Sequence, residues 1–398
     1  MIDTHIVSSL CGCDLDKDYL HLVVVSAECP TGHYLPVGNT PLGIELACNF
    51  LEEQGVFGVI MEATARYWYA FAAMLKQHSM PFWVFNPART KPLRGHKRDP
   101  WDARWLVDTF RVNNPNIKPS QLLVPAQQEL RRLVRLQADW AKERTRMKNR
   151  LRSVLSHYHL NDSEVFPDLS TQASQFIIES FAQGRNPLSP LQDPSTPKLS
   201  PQTLKAIQRR QDRIAVLYVQ VLALNEGARI EMLLLVQQLQ QFMAHEALLQ
   251  DKIDYLLTRL TATPEVDLLR TLPGVGKKLA SSVIAELGSA TKFLSGKKVG
   301  KFAGLNPSHA SSNKTNKNPH ITKAGSSYLR RTAYLSAEKF LQSRKYREET
   351  WLDKFYDRLY IKHGKTKEGK KIAFTALARK LLVVMWAMLR DQQAFQPH

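Results

Sequence analysis

The first hundred residues alternate between short strand-like runs and helical segments, which restricts this part of the chain to an α/β fold. Apolar runs of strand length predict strands at residues 6–13, 20–26, 33–37, 56–61 and 82–85. Helical spacing of apolar side chains predicts helices at 42–54 and 67–78. Three strands, a helix, a strand, a helix and a strand are the element order of a ribonuclease-H-like domain, which we expect here.

The rest of the sequence reads as helical. Residues 130–158 keep one apolar face among many arginines, and an apolar stripe at 202–260 predicts a coiled coil or helical hairpin that packs against another chain. Prolines mark an irregular loop at 186–201 between them. After it, Leu272-Pro273-Gly274-Val275-Gly276 is typical of a helix-hairpin-helix turn, and a closing helix is predicted at 371–390. We therefore expect three domains, 1–157, 158–262 and 263–398.

A strong excess of positive charge points to nucleic acid as the partner. The formal net charge is +19, and residues 287–337 contain nine Lys and Arg but no Asp or Glu. A solvated basic loop is the plain alternative for that segment. The candidate nucleic-acid-binding residues are Arg131, Arg132, Arg135, Arg144, Arg146, Lys148, Arg150, Lys277, Lys278, Lys314, Lys317, Lys323 and Arg330.

A membrane is not expected as a partner. No segment shows the long uncharged apolar run of a spanning helix, and the first residues lack the basic start of a signal peptide. All four cysteines lie within the first 48 residues without a zinc-binding spacing. We read them as buried thiols of a protein in the reducing cytoplasm.

Four acidic residues are candidates for a metal-dependent active site. Asp14 and Glu62 end separate strand-like runs, and Asp99 and Asp102 are three residues apart at a predicted helix start after Lys97-Arg98. That spacing places both Asp side chains on one helix face. Carboxylate oxygens are ligands that Mg²⁺ prefers, so we expect a Mg²⁺ site, with other divalent cations as alternatives. Taken singly, each acid could instead be a cap, a turn or a surface residue.

Several motifs resemble one transposase family in the same order. Cys13-Asp14-Leu15-Asp16-Lys17, Met61-Glu62-Ala63-Thr64 and the run 97–104 are similar to the DEDD transposases of the insertion-sequence 110/1111 family. The runs 272–280, 302–307, 321–325 and 329–330 resemble that family's second conserved domain, and 379–389 resembles its closing helix. Ala65 departs from the glycine common after Glu-Ala-Thr.

The resemblance implies a prokaryotic, nucleoid-associated recombinase with a RuvC-like domain, a coiled-coil region and a C-terminal transposase domain. Its members bind a structured non-coding guide RNA, act on donor and target DNA, and assemble as dimers or tetramers. It also implies that Asp14, Glu62, Asp99 and Asp102 bind Mg²⁺ and that a serine attacks the DNA.

The family's nucleophilic serine usually precedes glycine, whereas the matching dipeptide here is Ser312-Asn313. We therefore take Ser312 as the nucleophile and Ser311 as the alternative; both could instead make ordinary phosphate contacts. Two further functions remain open, a RuvC-type structure-selective DNA endonuclease and a non-catalytic architectural protein that binds nucleic acid. No role is assigned to residues 160–205.

Overall fold

The computed structural model describes residues 9–90, 99–112, 119–120, 123–189, 199–308 and 320–397, apart from the side chains of residues 88, 89 and 99. By compactness the chain divides into two units, Met1–Leu122 and Leu123–His398. The division into three domains at 157/158 and 262/263 stays a prediction.

The first unit is α/β, as the sequence predicts. Each expected strand and helix is present with its ends shifted by at most a few residues. The elements are β1 (Ser9–Leu15), β2 (Tyr19–Ser26), β3 (His33–Gly38), α1 (Pro41–Glu53), β4 (Gly58–Glu62), α2 (Trp68–Gln77), β5 (Phe82–Phe85), α3 (Pro87–Thr90) and α4 (Asp99–Arg111). Helix α1 begins where the Thr40 hydroxyl accepts a hydrogen bond from the Gly43 amide and Pro41 takes the first turn.

The five strands form one mixed sheet in the order β3-β2-β1-β4-β5. Strands β1, β2 and β3 pair antiparallel, whereas β1 and β4, and β4 and β5, pair parallel. The antiparallel pairs follow from the short turns between successive strands, and the parallel pairs from the intervening helices. The central strands β1 and β4 therefore run side by side in the same direction.

Each face of the sheet has its own apolar core, because side chains alternate along a strand. On one face Cys11, Cys13 and Leu15 of β1 pack in the core that also holds α1 and α2. On the other face Leu10 packs with residues of α4 in a smaller core. Asp14 shares the α4 face with Leu10, since the two are four residues apart.

Gly12 lets α4 approach β1 closely. A Cβ atom built at Gly12 would lie 1.8 Å from the carbonyl oxygen of Ala103, which is far inside van der Waals contact. Because Ala103 follows Asp102, this contact fixes the height of Asp102 above the sheet. A residue with a side chain at position 12 would push α4 and its carboxylates away.

The second unit is helical throughout the residues that the structure describes. Its helices are α5 (Pro125–His157), α6 (Gln172–Ala182), α7 (Pro201–Gln208), α8 (Gln211–Leu222), α9 (Glu226–Arg259), α10 (Thr263–Arg270), α11 (Lys277–Leu287), α12 (Gly296–Phe302), α13 (Ser327–Ser343), α14 (Trp351–Lys362) and α15 (Lys367–Asp391). One core joins the start of α5 and the end of α9 to α10–α15, and another joins the end of α5 to α6–α9.

The apolar stripe at 202–260 is not one continuous element, and much of it is covered within the chain. It is divided among α7, α8 and α9, because the chain turns at 209–210 and 223–225. Helices α5 and α9 run antiparallel, as shown by Glu129 facing Lys252, Gln137 facing Gln250 and Arg144 facing Glu246. The inference that this stripe needs another chain to cover it was therefore wrong for its largest part.

One described helix, α15, is long and apolar enough to cross a membrane by length and composition alone, which the sequence reading did not foresee. Its most apolar window has a mean hydropathy of 1.8, and half of that window is buried within the chain. Leu377, Leu381 and Met385 of α15 are fully buried in the larger core of this unit. The apolar character of α15 therefore follows from its place at the centre of a helical core.

We expect Gly12→Ala to lower the free energy of unfolding by about 1–3 kcal/mol, because the added methyl group must displace α4. Gly38→Ala in the same sheet is the matched control, since its Cβ would come no closer than 3.7 Å to a non-adjacent atom. Urea-induced unfolding of the intact chain measures both. Equal midpoints for the two variants would contradict the close approach at Gly12.

Candidate active site

Three of the four acidic candidates, Asp14, Glu62 and Asp102, lie on one face of the sheet. Cys13 and Met61 are partners in the parallel register of β1 and β4, so Asp14 and Glu62 are the next residues on neighbouring strands. Both lie at the carboxyl ends of these strands, where open α/β sheets place their ligands. Helix α4 brings Asp102 to the same face.

The charges of these acids act on one another. Burial raises the pKa of Asp14, and the negative charges of Asp102 and then Glu62 raise it further, to about 6. A backbone hydrogen bond at Leu15 and the nearby His21 oppose this shift. Asp102 and Glu62 thus lie close enough to Asp14 for their negative charges to disfavour its ionised form, and a bound cation would relieve that repulsion.

Glu62 is held by a residue that the sequence reading did not single out. The Thr90 hydroxyl donates a hydrogen bond to Oε1 of Glu62, and the Thr90 side chain is buried. The indole Nε1 of Trp105 in turn donates to the Thr90 carbonyl oxygen at 2.7 Å. Trp105 lies three residues after Asp102, so α4 carries one acid and helps to orient another.

The oxygen-only donor set and its mutual repulsion fit a hard divalent cation in kind. Asp99 begins α4, but its side chain lies outside the part of the chain that the structure describes. Among the side chains within that part, no group of three or more His, Cys, Asp or Glu is arranged to hold a metal ion. The ligand roles of Asp14, Glu62, Asp99 and Asp102 therefore stay a prediction.

Many of the basic candidates in the second unit contact the protein itself. Arg135 binds the buried Glu286 through two hydrogen bonds, of 2.6 and 3.0 Å, and Arg131 donates to the Ala285 carbonyl oxygen at 2.9 Å. The other candidates with ion-pair or backbone partners are Arg144 with Glu246, Arg146 with Glu143, Lys148 with Asp168, Lys277 with Asp254, Lys278 with Glu246 and Arg330 with Ala303. These arginines and lysines therefore stabilise the helical unit, whether or not they also contact nucleic acid.

Three of the exposed basic candidates have no ion-pair partner among the residues that the structure describes. These are Arg132 and Arg150 on α5 and Lys323, which lies in the segment before α13. Lys314 and Lys317 belong to residues 309–319, outside the described ranges, as do Ser311 and Ser312.

The Pro273-Gly274-Val275-Gly276 segment lies between α10 and α11, and its role as a helix-hairpin-helix turn stays a prediction. Gly274 has a φ of +80°, and a Cβ there would lie 2.5 Å from the Phe340 backbone nitrogen. Gly274 is therefore required by close packing against α13, independently of any phosphate. Gly276 directly precedes α11, and a Cβ at this position would meet no described atom within 4 Å, so its backbone is open.

The C-terminal motifs at 302–307, 321–325 and 329–330 lie close together in the structure. Gly325 has a φ of +142°, and a Cβ at this position would lie 2.2 Å from the Phe302 carbonyl oxygen. Arg330 donates to the carbonyl oxygens of Ala303 and Lys323 at 2.9 and 3.1 Å. The Ser308 amide donates to the His320 carbonyl oxygen at 2.7 Å, so the two residues that flank 309–319 lie side by side.

Two family models match this chain. A DEDD transposase model of the IS110 type, described as a transposase, matches residues 11–160, and a model described as transposase IS116/IS110/IS902 family matches residues 266–356. The first match contains all four acidic candidates and the second contains Ser311 and Ser312.

Several curated relatives agree with these matches. The uncharacterized 43.6 kDa protein of insertion element IS110 from Streptomyces coelicolor is 28% identical over 303 residues, covering 74% of this chain and 71% of the relative. The transposase for insertion sequence element IS1111A from Coxiella burnetii is 23% identical over 348 residues, covering 85% and 79%. The pilin gene-inverting protein of Moraxella bovis is 31% identical over 150 residues, covering 36% of this chain and 44% of that protein.

The chain belongs to the IS110 family of transposases, and it is a DNA recombination or transposition enzyme. DNA is therefore its substrate. Nuclease domains of the DEDD transposase type generally use divalent metal ions, which agrees with the chemistry of the acidic candidates.

We expect Asp14→Asn to stabilise the metal-free fold at pH 7.5 by about 1 kcal/mol, after allowance for solvent screening of a partly exposed group. The folded-state pKa of about 6 lies above the ordinary 3.8, so ionising Asp14 costs the folded state stability as pH rises through this interval. The increase in the free energy of unfolding caused by Asp14→Asn should reach its full size above about pH 6 and should vanish below the ordinary pKa of 3.8. Urea unfolding in chelator at pH 7.5 and pH 4 measures it.

Asp16→Asn is the control of opposite sign. Hydrogen bonds from the Tyr19 and Asp18 amides lower the pKa of Asp16, so the ionised form of Asp16 stabilises the fold. Asp16→Asn should therefore lower the free energy of unfolding more at pH 7.5 than at low pH. A destabilising effect of Asp14→Asn at pH 7.5 without metal would contradict the crowding of carboxylates.

Proposed function

We propose that this chain is an RNA-guided DNA recombinase that moves an insertion sequence by Mg²⁺-dependent strand cleavage and rejoining through a serine nucleophile. The observation that carries the proposal is the raised pKa of Asp14, caused by burial and by Asp102 and Glu62, in a chain of the IS110 transposase family. An acid whose pKa is raised by burial and by neighbouring carboxylates is expected of a site built for a cation.

We assign the first unit to the RuvC-like branch of the ribonuclease-H-like folds. The sheet order β3-β2-β1-β4-β5 supports this assignment, as do the antiparallel first three strands and the parallel β1, β4 and β5. The central strands of such a sheet carry acids at their carboxyl ends, where Asp14 and Glu62 lie.

Four residues would hold Mg²⁺, namely Asp14, Glu62, Asp99 and Asp102. Bound Mg²⁺ supplies positive charge that offsets the negative charge of a phosphodiester and of an attacking oxygen. The protein's own part is to fix the acids, and the contacts from Gly12 to Ala103 and from Thr90 to Glu62 serve this purpose.

Ser312 is the proposed nucleophile, with Ser311 as the alternative. Its Oγ would form a bond to the phosphorus while the bond from phosphorus to the leaving strand oxygen breaks, and the hydroxyl proton would pass to that oxygen or to solvent. The phosphodiester energy is then kept in a phosphoserine, so a second strand can rejoin without another energy source. The neighbouring Lys314 and Lys317 carry charge that favours the anionic phosphate.

Guide RNA and DNA would bind along the basic surface of the second unit. The exposed Arg132, Arg150 and Lys323 are the strongest candidates for phosphate contacts, because they are not committed to ion pairs among the residues that the structure describes. The partnered arginines and lysines would contribute mainly through the long-range positive potential.

We also propose that the chain forms a homo-oligomer, either a dimer or a tetramer. The basis is a set of exposed apolar side chains rather than the stripe at 202–260. Val216, Val219 and Leu222 of α8 are 62%, 68% and 56% exposed, and Leu234 of α9 is 60% exposed. Exposed apolar side chains at three-residue spacing along α8 are typical of an association surface.

The experiment follows labelled DNA on a denaturing gel, using the intact protein with the RNA that copurifies with it. Wild type should give a covalent protein–DNA adduct, and Ser312→Ala should lose it while Ser311→Ala retains it. Asp102→Asn should abolish the adduct but keep nucleic-acid binding, since only the charge of one acid is removed. Digesting the RNA beforehand should also abolish the adduct if the reaction is guided.

Other outcomes would select another function. An adduct that survives Ser312→Ala and disappears with Ser311→Ala would move the nucleophile by one residue. Free cleaved ends without any adduct would favour the RuvC-type endonuclease. Binding that is indifferent to chelator, with neither cleavage nor adduct, would favour the architectural protein.

A further inference from the structure

A second feature of the catalytic face of the sheet is an open groove beside α4. Its cavity measures about 630 Å³, within the usual range of ligand pockets. The lining includes Val23, Gly32, Tyr34, Pro100, Trp101 and Arg104. All of these residues belong to the first unit.

The groove adjoins the acidic candidates directly. Trp101 precedes Asp102 in α4, so the groove and the acids share one turn of helix. On the other side, the Tyr34 hydroxyl and Nδ1 of His21 are hydrogen-bonded at 2.8 Å, and His21 is the partner of Asp14 in the antiparallel register. A ligand bound at Asp14 and Asp102 would therefore lie next to residues that line the groove.

The lining suits flat apolar faces. Trp101 is 63% exposed, although tryptophan side chains normally bury most of their surface, and Tyr34 is 37% exposed. Gly32 has a φ of +93°, and a Cβ there would lie 2.6 Å from Cγ1 of Val23, so the chain keeps this part of the groove free of a side chain.

The arginine of the lining is already engaged. Arg104 donates a hydrogen bond to the Thr31 carbonyl oxygen and pairs with Asp108 at 3.6 Å. Because Asp108 partly neutralises the positive charge of Arg104, this position would bind a phosphate only weakly. An aromatic ligand could instead stack on the Trp101 and Tyr34 rings and on the guanidinium plane.

We propose that this groove binds an unstacked nucleobase of the DNA strand whose backbone lies at the acids. The proposal rests on the DNA-cleaving function proposed for Asp14, Glu62 and Asp102. Holding one base in the groove would fix the strand's register next to the reacting phosphate, a task that phosphate contacts alone perform poorly.

The test is a binding cycle with the full-length protein in chelator, so that no cleavage occurs. The probes are a single-stranded deoxyoligonucleotide with 2-aminopurine at alternate positions and the same strand with abasic sites at those positions. Trp101→Ala should weaken binding of the base-containing strand by about 5- to 100-fold. The abasic strand should lose less than about twofold, and 2-aminopurine emission should be quenched by wild type but not by Trp101→Ala.

Two matched variants control for the fold. Trp101→Phe keeps an aromatic face and should retain most of the affinity and quenching. Tyr69→Ala removes another exposed aromatic side chain, on α2 at the opposite face of the same sheet, and should change neither.

The proposal would be overturned by an equal loss of affinity for the abasic strand or by unchanged binding of the base-containing strand to Trp101→Ala. Failure of the proposed catalytic function has a different signature. In that case Asp102→Asn and wild type would both fail to cleave DNA in Mg²⁺, while the Trp101-dependent quenching would remain.

Discussion

The arrangement of the first unit depends on the absence of a side chain at Gly12. The carbonyl oxygen of Ala103 occupies the space where a Cβ would stand, so α4 lies directly on β1. Asp102 is thereby held over the carboxyl ends of β1 and β4. Trp105 donates a hydrogen bond to the Thr90 carbonyl oxygen, and the Thr90 hydroxyl binds Glu62. One contact between backbone atoms thus links an acid on a helix to acids on two strands.

The acidic face works against the stability of the fold. Burial and neighbouring negative charge raise the pKa of Asp14 to about 6, so the folded chain carries an unfavourable charge at neutral pH. Functional sites often keep such unfavourable groups because catalysis needs them. The apolar cores on both faces of the sheet, containing Leu10 and Ile60 on one side and Phe71 and Leu75 on the other, offset that cost.

Local periodicity was enough to predict the five strands of the first unit, helices α1 and α2, and the positions of Asp14 and Glu62 at the ends of two strands. Contacts between distant residues were not visible in the sequence. Thr90 lies in a short helix without a motif, and the pairing of Arg135 with Glu286 joins residues 151 apart. The stripe at 202–260 had the right spacing for burial, but spacing cannot tell whether α5 of the same chain or another chain covers it.

Our central proposal is that Asp14, Glu62 and Asp102 belong to one divalent-cation centre. Iron(II) bound in place of Mg²⁺ generates hydroxyl radicals with ascorbate and peroxide and cuts the polypeptide next to the ion. Mass spectrometry of the fragments should find cuts near residues 14, 62 and 102 together, suppressed by excess Mg²⁺ and lost in Asp14→Asn. Cuts at only one of these segments, or a pattern unchanged by Mg²⁺ and by Asp14→Asn, would contradict a shared centre.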